Sequence, residues 1–390
     1  MKNRTLSILL LAALCSCHSQ EADLPTLKNE AITTSIPVKS ISAAELKKYQ
    51  DSAEQILQKN LLKGSFNGAI LLAKNGQIVY EKYVGLKDPR VKGGDTLTAE
   101  TPFQIASTGK TMTAAAILKL VEEERLTLDV EVTQFFPGFP YPGVTVRTLL
   151  NHRSGLPNYL YYMEKGGWKR DLQATNKDVL NTLINWQPPK AASPDKRFQY
   201  CNTNYVLLAL IVEKVSGMSF PEYMKTAFFQ PLGMDHSFVI GPNEQKNHLL
   251  SYQYNNALWA LDFSDGPYGD KNIYSTPRDL LKWDRAINDG KVLQEQTLEA
   301  AYTPYSNEKP GVHHYGLGWR LLFFPEHNNK KVIYHNGHWH GFNSAFSRLP
   351  DENATIIVIS NRYNQLVYSV ARKLYDVFGN YDHTPEEGSE

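Results

Sequence analysis

The chain has 390 residues, of which 42% are hydrophobic and 11% aromatic, which is enough to bury a substantial core in one large domain or two. Its 41 basic and 40 acidic residues leave a net charge of +1, and no block of basic residues alternates with aromatic ones. This balance argues against a nucleic-acid partner.

The first residues, MKNRTLSILLLAALCSCHS, combine a basic start with a short apolar run. Such a run predicts an export signal and is too short for a stable membrane span. The segment LCSC resembles a bacterial lipoprotein signal, with Leu14 three residues before Cys17 and the small Ser16 directly before it. The resemblance implies a signal peptide at 1–16 and membrane attachment through lipidated Cys17, hence an exported lipoprotein of the cell envelope. An ordinary signal peptide is the alternative. Polar residues 17–41 would form the lipid-anchored tether.

Residues 42–380 are predicted to form a single catalytic domain. An amphipathic helix is predicted after Ser42, and two apolar runs around Asn75-Gly76 predict a β-hairpin. Residues 108 to about 265 are predicted to be mostly helical, with long loops.

Strand character returns after the predicted helix TPRDLLKWDRAIND, in the segments YGLGWRLLFF, KVIYHNG, FNSAFSRLP and NATIIVISN, and a helix, QLVYSVARKLYDVF, follows. Strands at both ends with helices between them predict an α/β (α+β) fold. We expect an antiparallel sheet flanked by helices, built from both ends of the chain, with an inserted and mostly helical subdomain. Residues 381–390 are predicted to be a disordered tail.

The pattern Ser-x-x-Lys occurs three times, starting at Ser107, Ser193 and Ser306. The last two lie among residues that favour turns, whereas Ser107 precedes the Ala/Leu-rich run TGKTMTAAAILKLVEEE, which has a helical composition. Lys110 would then lie one helical turn from the Ser107 hydroxyl, at a helix start whose free N–H groups favour an oxyanion. The alternative is a capping serine beside a solvated lysine.

A hydrolytic serine also needs a proton acceptor and donors for the oxyanion. Tyr200 and Asn202, in FQYCNTNY, precede an apolar helix and would therefore be rigidly held. The charge of Lys110 could lower the tyrosine pKa from about 10 and make it a proton acceptor. Asn202 could hydrogen-bond both Lys110 and a substrate amide. A packed tyrosine beside an Asn cap is the alternative.

Several segments together resemble the β-lactamase-related serine hydrolases, a family that includes class C β-lactamases, penicillin-binding D,D-carboxypeptidases, D-aminopeptidases and esterases. The resemblance covers about residues 60 to 380. Its motifs follow the family order: NGAILLAKNGQIVYEKYVG, FQIASTGKTMTA, LLNHRSGLPNY, FQYCNTNYVLLALIVEKVSG, QPLGMDHS, GDKNIYSTPRDLLKW, YGLGW, HNGHWHGF and LPDENATIIVISN. The resemblance implies that Ser107 is the acylated nucleophile, that Lys110 and Tyr200 activate it, and that Asn202 is a site residue.

The same resemblance assigns His335, Asn336 and Gly337 to a strand beside the serine. His335 stands where the family has Lys or His, and would supply a positive charge or relay a proton. The backbone N–H groups of Ser107 and His338 would form the oxyanion hole, and Tyr159 would form a wall of the pocket. No cofactor or metal is implied, and the substrate would be a small molecule or a peptide, including cell-wall peptide.

This chain departs from the family pattern at several positions. Cys201 replaces the usual serine, and Asp195 stands where a glycine often precedes the tyrosine loop, so that loop is expected to take another path. The family motif that corresponds to residues 335–341 commonly reads HTGGTPG, whereas this chain has HNGHWHG. Asn336 lacks the hydroxyl that would bind a substrate carboxylate, and Trp339 crowds the strand end. These changes weaken a specific β-lactamase assignment.

Two alternatives to a serine hydrolase are open. His335, His338 and His340 cluster in sequence and could hold a metal, although no HExxH motif or adjacent carboxylate supports zinc. The second alternative is a sensor or binding module of the same fold that is acylated slowly or not at all. The sequence does not distinguish amide, peptide, ester and β-lactam substrates.

Overall fold

A computed structural model of the chain describes residues 40–64, 66–308, 311–327 and 329–381. The predicted signal peptide, Cys17 and nearly all of the predicted tether lie outside the described residues. No helix within the described ranges is both long enough and apolar enough to cross a membrane.

The helices of the described residues are α1 (Ala43–Leu57), α2 (Lys110–Glu122), α3 (Val146–Leu150), α4 (Tyr159–Lys165), α5 (Asn176–Trp186), α6 (Asn202–Ser216), α7 (Phe220–Met224), α8 (Pro277–Asn288), α9 (Glu295–Ala301) and α10 (Leu366–Lys373). The strands are β1 (Gly68–Lys74), β2 (Gln77–Val84), β3 (Phe103–Gln104), β4 (Phe238–Val239), β5 (Ile273–Ser275), β6 (His313–Tyr315), β7 (Arg320–Phe324), β8 (Lys330–Trp339), β9 (Phe342–Leu349) and β10 (Ala354–Ser360).

A seven-stranded antiparallel sheet runs in the order β2-β1-β10-β9-β8-β7-β6. The predicted β1–β2 hairpin is confirmed, and Asn75 and Gly76 both take the positive φ angles that its tight turn requires. Because β1 pairs with β10, both ends of the domain meet in one sheet. The predicted fold class is therefore confirmed.

Helices cover both faces of this sheet. On one face, α1 and α10 bury residues such as Leu57 and Val370 against Ile70 and Val358. On the other face, α2, α6 and α8 pack in a larger cluster that includes Trp283. Burial on both faces explains why the central strands are almost continuously apolar rather than alternating.

Helices α2 to α7 lie between β2 and β6, as the sequence predicts for the inserted subdomain. The segment from residue 230 to 272 is mostly irregular, however, and a small second sheet in the order β3-β5-β4 was not predicted. Tyr381, which the sequence assigns to the tail, is buried against Phe324 and Tyr375. The predicted tail boundary is therefore wrong at its first residue, and residues 382–390 lie outside the described part.

Candidate active site

Ser107 lies in a short 3₁₀ turn, Ala106–Gly109, that leads directly into α2. Ala106, immediately before it, has a φ of +48°, a left-handed conformation that is rare for residues other than glycine. Such strain concentrates at functional sites, where the surrounding structure holds it in place. The Ser193 and Ser306 copies of the pattern lie outside helices and strands, as predicted.

The turn rests directly on β8 and β9. The Thr108 hydroxyl donates to the His335 carbonyl at 3.2 Å, and the Ser344 hydroxyl donates to the Ile105 carbonyl at 2.6 Å. A Cβ atom added at Gly337 would lie 2.3 Å from the Ile105 carbonyl oxygen and 3.1 Å from the Ser107 nitrogen. Only glycine therefore lets β8 approach the serine this closely.

Lys110 is completely buried and lies beside the serine, as the sequence predicts. Its Nζ donates to Ser107 Oγ at 3.0 Å and to the Asp270 carbonyl at 2.7 Å. A hydrogen bond of this length between an amine and a hydroxyl is the geometry that nucleophile activation needs. The solvated-lysine alternative is wrong.

The Tyr200 ring lies between two cationic groups. Lys110 Nζ is 5.1 Å from its centroid, and Arg320 Cζ is 5.4 Å from it. Within the described part of the chain, no hydrogen bond joins the Tyr200 hydroxyl to Ser107. Catalytic hydrogen bonds often shorten only when substrate binds. The closeness of the Tyr200 ring to Lys110 is therefore the observation that bears on its predicted role.

Asn202 begins α6, next to Tyr200. Its carboxamide oxygen is buried and has no hydrogen-bond partner among the described residues. The hydrogen bond predicted between Asn202 and Lys110 is not formed, since Lys110 donates to Ser107 and Asp270 instead. Cys201 points away into the core, where burial raises the pKa of its thiol to about 11, so the thiol is inert.

His335 lies on β8 and is completely buried. Its Nε2 is 3.2 Å from the Tyr315 hydroxyl, and its ring centroid is 6.3 Å from that of Tyr200. Burial, together with the charges of Arg320 and Lys110, lowers the pKa of His335 well below its usual value. The lowered pKa favours a neutral His335, so of its two predicted roles the proton relay fits this environment better than the positive charge.

A second buried histidine, His152, was not singled out from the sequence, although it lies in the quoted segment LLNHRSGLPNY. Its Nδ1 accepts the Cys201 backbone N–H at 3.2 Å, and its ring centroid is 4.3 Å from that of Tyr200. Burial and the charge of Lys110 lower the pKa of His152 well below its usual value. His152 thus supports the Tyr200 loop as a neutral ring.

The end of β8 has an open edge. β7 pairs with β8 only as far as Tyr334, so residues 335–339 pair with β9 alone. Main-chain groups on the other side of this segment face the site, and the predicted oxyanion donor, His338, belongs to it. Asn336 is half-buried and the His338 side chain is exposed.

Tyr159 differs from its prediction as a pocket wall, because it is completely buried. Its hydroxyl donates to Asp270 Oδ2 at 3.1 Å and accepts a hydrogen bond from Lys271 Nζ. Lys271 is 2% exposed and pairs with the Asp270 carboxylate at 3.2 Å. The quoted segment GDKNIYST contains both residues, but no local pattern marks them as neighbours of Lys110.

The Tyr200 loop retains the backbone shape that glycine would favour. Asp195 has a φ of +57°, and Arg153 holds it through its Nε, 2.6 Å from Asp195 Oδ1, and through its main-chain carbonyl. Asp195 thus takes a backbone conformation that glycine would also favour, and the predicted change in the path of the loop stays a prediction.

The histidines of the metal alternative do not converge. His335 is buried beside Tyr315, whereas His340 contacts Asp265 at 2.9 Å and the His338 side chain is exposed. Among the described residues, no three His, Cys, Asp or Glu side chains are grouped as metal ligands.

Comparison with known proteins places this geometry in a family. The sequence model of the Beta-lactamase family matches residues 53–377. Penicillin-binding protein 4* of Bacillus subtilis (strain 168) is 32% identical over 345 residues, which cover 83% of this chain and 75% of that protein.

Two solved structures show the same fold. The penicillin binding protein from Bacillus halodurans superimposes with a TM-score of 0.72 at 25% identity, covering 84% of this chain and 99% of that one. D-amino acid amidase from Ochrobactrum anthropi SV3 superimposes with a TM-score of 0.68 at 23% identity, covering 85% and 98%, which shows likeness of fold alone. Together with the family match, the similarity to penicillin-binding proteins shows that this chain belongs to the Beta-lactamase family of serine hydrolases.

Proposed function

We propose that this hydrolase acts through an acyl-enzyme on Ser107, with an amide, peptide or ester as substrate. The observation that carries the proposal is the 3.0 Å contact between Ser107 Oγ and the buried Lys110 Nζ, in a turn that β8 holds rigidly. A buried amine in hydrogen-bond contact with a serine hydroxyl is the arrangement that activates a serine nucleophile.

In the proposed reaction, Ser107 Oγ bonds to the acyl carbon while its proton passes to the Tyr200–Lys110 pair. The N–H groups of Ser107 and His338 would bind the oxyanion. The same pair then returns the proton to the leaving amine or alcohol as its bond to the acyl carbon breaks. Water, deprotonated by that pair, attacks the ester, releases the acid and restores Ser107.

Asn202 is proposed to bind the substrate. Its buried and unpartnered carboxamide oxygen would accept a hydrogen bond from a substrate N–H, which favours an amide or peptide over a simple ester. The similarity in fold to a D-amino acid amidase supports the same substrate class. We propose that the chain works at the cell envelope, attached through Cys17, where cell-wall peptides are available.

Intact-mass spectrometry of the purified full-length protein tests the acyl-enzyme. The protein is exposed in parallel to a penicillin, a cephalosporin, a p-nitrophenyl ester and a fluorophosphonate, and a peptide map locates any adduct. We expect an adduct on Ser107 that Ser107→Ala abolishes and that Ser193→Ala, in the decoy motif, retains.

The pattern of labelling separates the remaining alternatives. A β-lactam adduct that water clears would add β-lactams to the substrates, whereas one that persists would indicate a sensor or an inhibited peptidase. Labelling only by ester or fluorophosphonate would indicate an esterase or amidase whose cleft excludes β-lactams. An adduct that survives in Ser107→Ala would overturn the assignment of the nucleophile.

A further inference from the structure

A cluster of buried charges holds Trp339 at the end of β8. We call Asp265, Lys271 and Trp339 the Trp339 clamp. Trp339 Nε1 donates to Asp265 Oδ1 at 2.8 Å, and Lys271 Nζ lies 4.4 Å from the centre of the Trp339 ring. The two charged residues are 1% and 2% exposed, whereas Trp339 itself is half-buried.

The clamp is rigid because its charges are paired with each other and with their surroundings. Burial alone would raise the pKa of Asp265, but hydrogen bonds from His340 and Trp339 hold it below its usual value. Lys271 is also bonded to the Tyr159 hydroxyl and the Asp270 carboxylate. Moving the indole ring would break a charge-assisted hydrogen bond to Asp265 and a cation–π contact with Lys271.

Trp339 follows Gly337 on β8, and Gly337 lies next to Ser107. Alternate residues of a strand share one face, so His335, Gly337 and Trp339 point the same way from β8. Gly337 lies beneath the Ser107 nitrogen, and His335 contacts the Tyr200 side of the site. Trp339 is therefore about 7 Å further along the strand from Gly337, in the direction away from Tyr200.

This arrangement orients the substrate. In the proposed reaction the Tyr200–Lys110 pair protonates the leaving group, so the leaving group must lie on the Tyr200 side of Ser107. The acyl group then extends to the other side, towards Trp339. Since the clamp holds the indole ring in place, we expect the ring to limit the space for the acyl side chain.

We propose that the Trp339 clamp restricts the acyl-enzyme to small acyl groups, of about acetyl or alanyl size, and discriminates against bulky ones such as phenylacetyl. This inference rests on the proposed acylation of Ser107. It extends that proposal by naming the acyl side of the substrate and the residues that select it.

The test compares kcat/KM for p-nitrophenyl acetate and p-nitrophenyl phenylacetate in the full-length protein. We expect the wild type to favour the acetate, and Trp339→Ala to raise the phenylacetate-to-acetate ratio at least about tenfold, since a pocket discriminates a methylene by about 10- to 200-fold. Lys271→Met should raise the ratio less, because the ring stays but loses one anchor. The ratio of the two kcat/KM values within one variant is insensitive to a general loss of active protein, because such a loss lowers both values equally.

Trp186→Ala is the matched control, since Trp186 is 42% exposed on α5 and packs over Gly166; its ratio should equal that of the wild type. A wild type that favours phenylacetate, or a Trp339→Ala ratio within twofold of the wild type, would overturn the inference. If Trp339→Ala does not fold, Trp339→Phe and Lys271→Met decide by the same ratio. Loss of all Ser107 labelling in the wild type would instead contradict the proposed function.

Discussion

Two buried histidines, His152 and His335, flank the Tyr200 ring and face the charges of Lys110 and Arg320. Neither can take up a proton without placing a further charge in a site that already holds cations. Their neutrality leaves Lys110 and Arg320 as the cations that contact the Tyr200 ring among the described residues. In the proposed reaction, the positive charge beside Tyr200 would therefore come from Lys110 and Arg320 rather than from His335.

The same histidines predict a pH dependence of stability. An unfolded histidine titrates at a pH of about 6.5. Below that pH, both histidines bind a proton in the unfolded chain, whereas the lowered pKa values of His152 and His335 disfavour protonation in the folded protein. The free energy of unfolding should therefore fall as the pH drops from about 6.5 to 5, by up to about 1.4 kcal/mol per pH unit for each histidine. Urea denaturation across this range measures the slope.

His335→Gln should remove the contribution of one histidine from this slope, which is up to about 1.4 kcal/mol per pH unit. His236→Gln is the control, because the His236 side chain is exposed and remains in water in both states. A slope that is the same in His335→Gln and in the wild type would show that His335 is not held neutral by the fold.

At the scale of elements, the contact between the Ser107 turn and β8 sets the geometry of the site. The Thr108 hydroxyl of the turn bonds to the His335 carbonyl on β8 and to the Ser344 hydroxyl on β9. Gly337 lies where any side chain would strike the Ile105 carbonyl. The strained Ala106 belongs to this turn, which lies between β8 and the start of α2. The position of Ser107 thus depends on a strand more than 200 residues away in sequence.

Gly337→Ala should disrupt this docking without unfolding the domain. Its Cβ would push the turn away from β8, and displacements of about 1 Å cost on the order of 100-fold in rate. We expect kcat/KM for p-nitrophenyl acetate to fall by about that factor. Gly217→Ala, at the end of α6, has a positive φ but open space around the new methyl group, so it should lower the melting temperature and leave kcat/KM unchanged. Equal losses of activity in both variants would contradict this account.

At the scale of the whole molecule, the domain from Ala43 to Tyr381 closes on itself through the β1–β10 pairing. Its N-terminal helix begins at a capping box in which Ser42 and Glu45 exchange hydrogen bonds. Upstream of this helix, residues 17–41 are polar in sequence and were predicted to tether the domain to a lipid. An experiment can therefore test the predicted lipid anchor independently of the catalytic domain.

We predict that Cys17→Ala releases the protein from membranes without loss of its activity. Expressed in a bacterial host with an alkyne-labelled fatty acid, the wild type should incorporate the label and sediment with membranes, because an acylated N-terminus adds buried apolar chains. The variant should remain unlabelled, with Ser107 still reactive towards fluorophosphonate. Labelling of Cys17→Ala, or membrane association without any label, would rule out this anchor.

Much of the molecule was determined by short-range features of the sequence. Asn75-Gly76 specified a tight turn because both positions tolerate a positive φ angle, and the apolar runs marked strands buried on both faces. Ser107 and Lys110 met because three residues in a helical start span one turn. The order of several motifs, rather than any single one, separated Ser107 from the decoys at Ser193 and Ser306.

The tertiary structure alone decided what surrounds these residues. Asp270, Lys271, Asp265, His152 and Arg320 approach the site from segments that are distant in sequence, and no local spacing encodes such contacts. Burial lowered the pKa of His335, which disfavours its predicted positive charge, and it removed Tyr159 from the surface. The acyl-side wall at Trp339 likewise exists only because a strand end meets buried charges from another loop. Desolvation and long-range packing depend on the assembled chain, which is why sequence patterns predicted the nucleophile but not its environment.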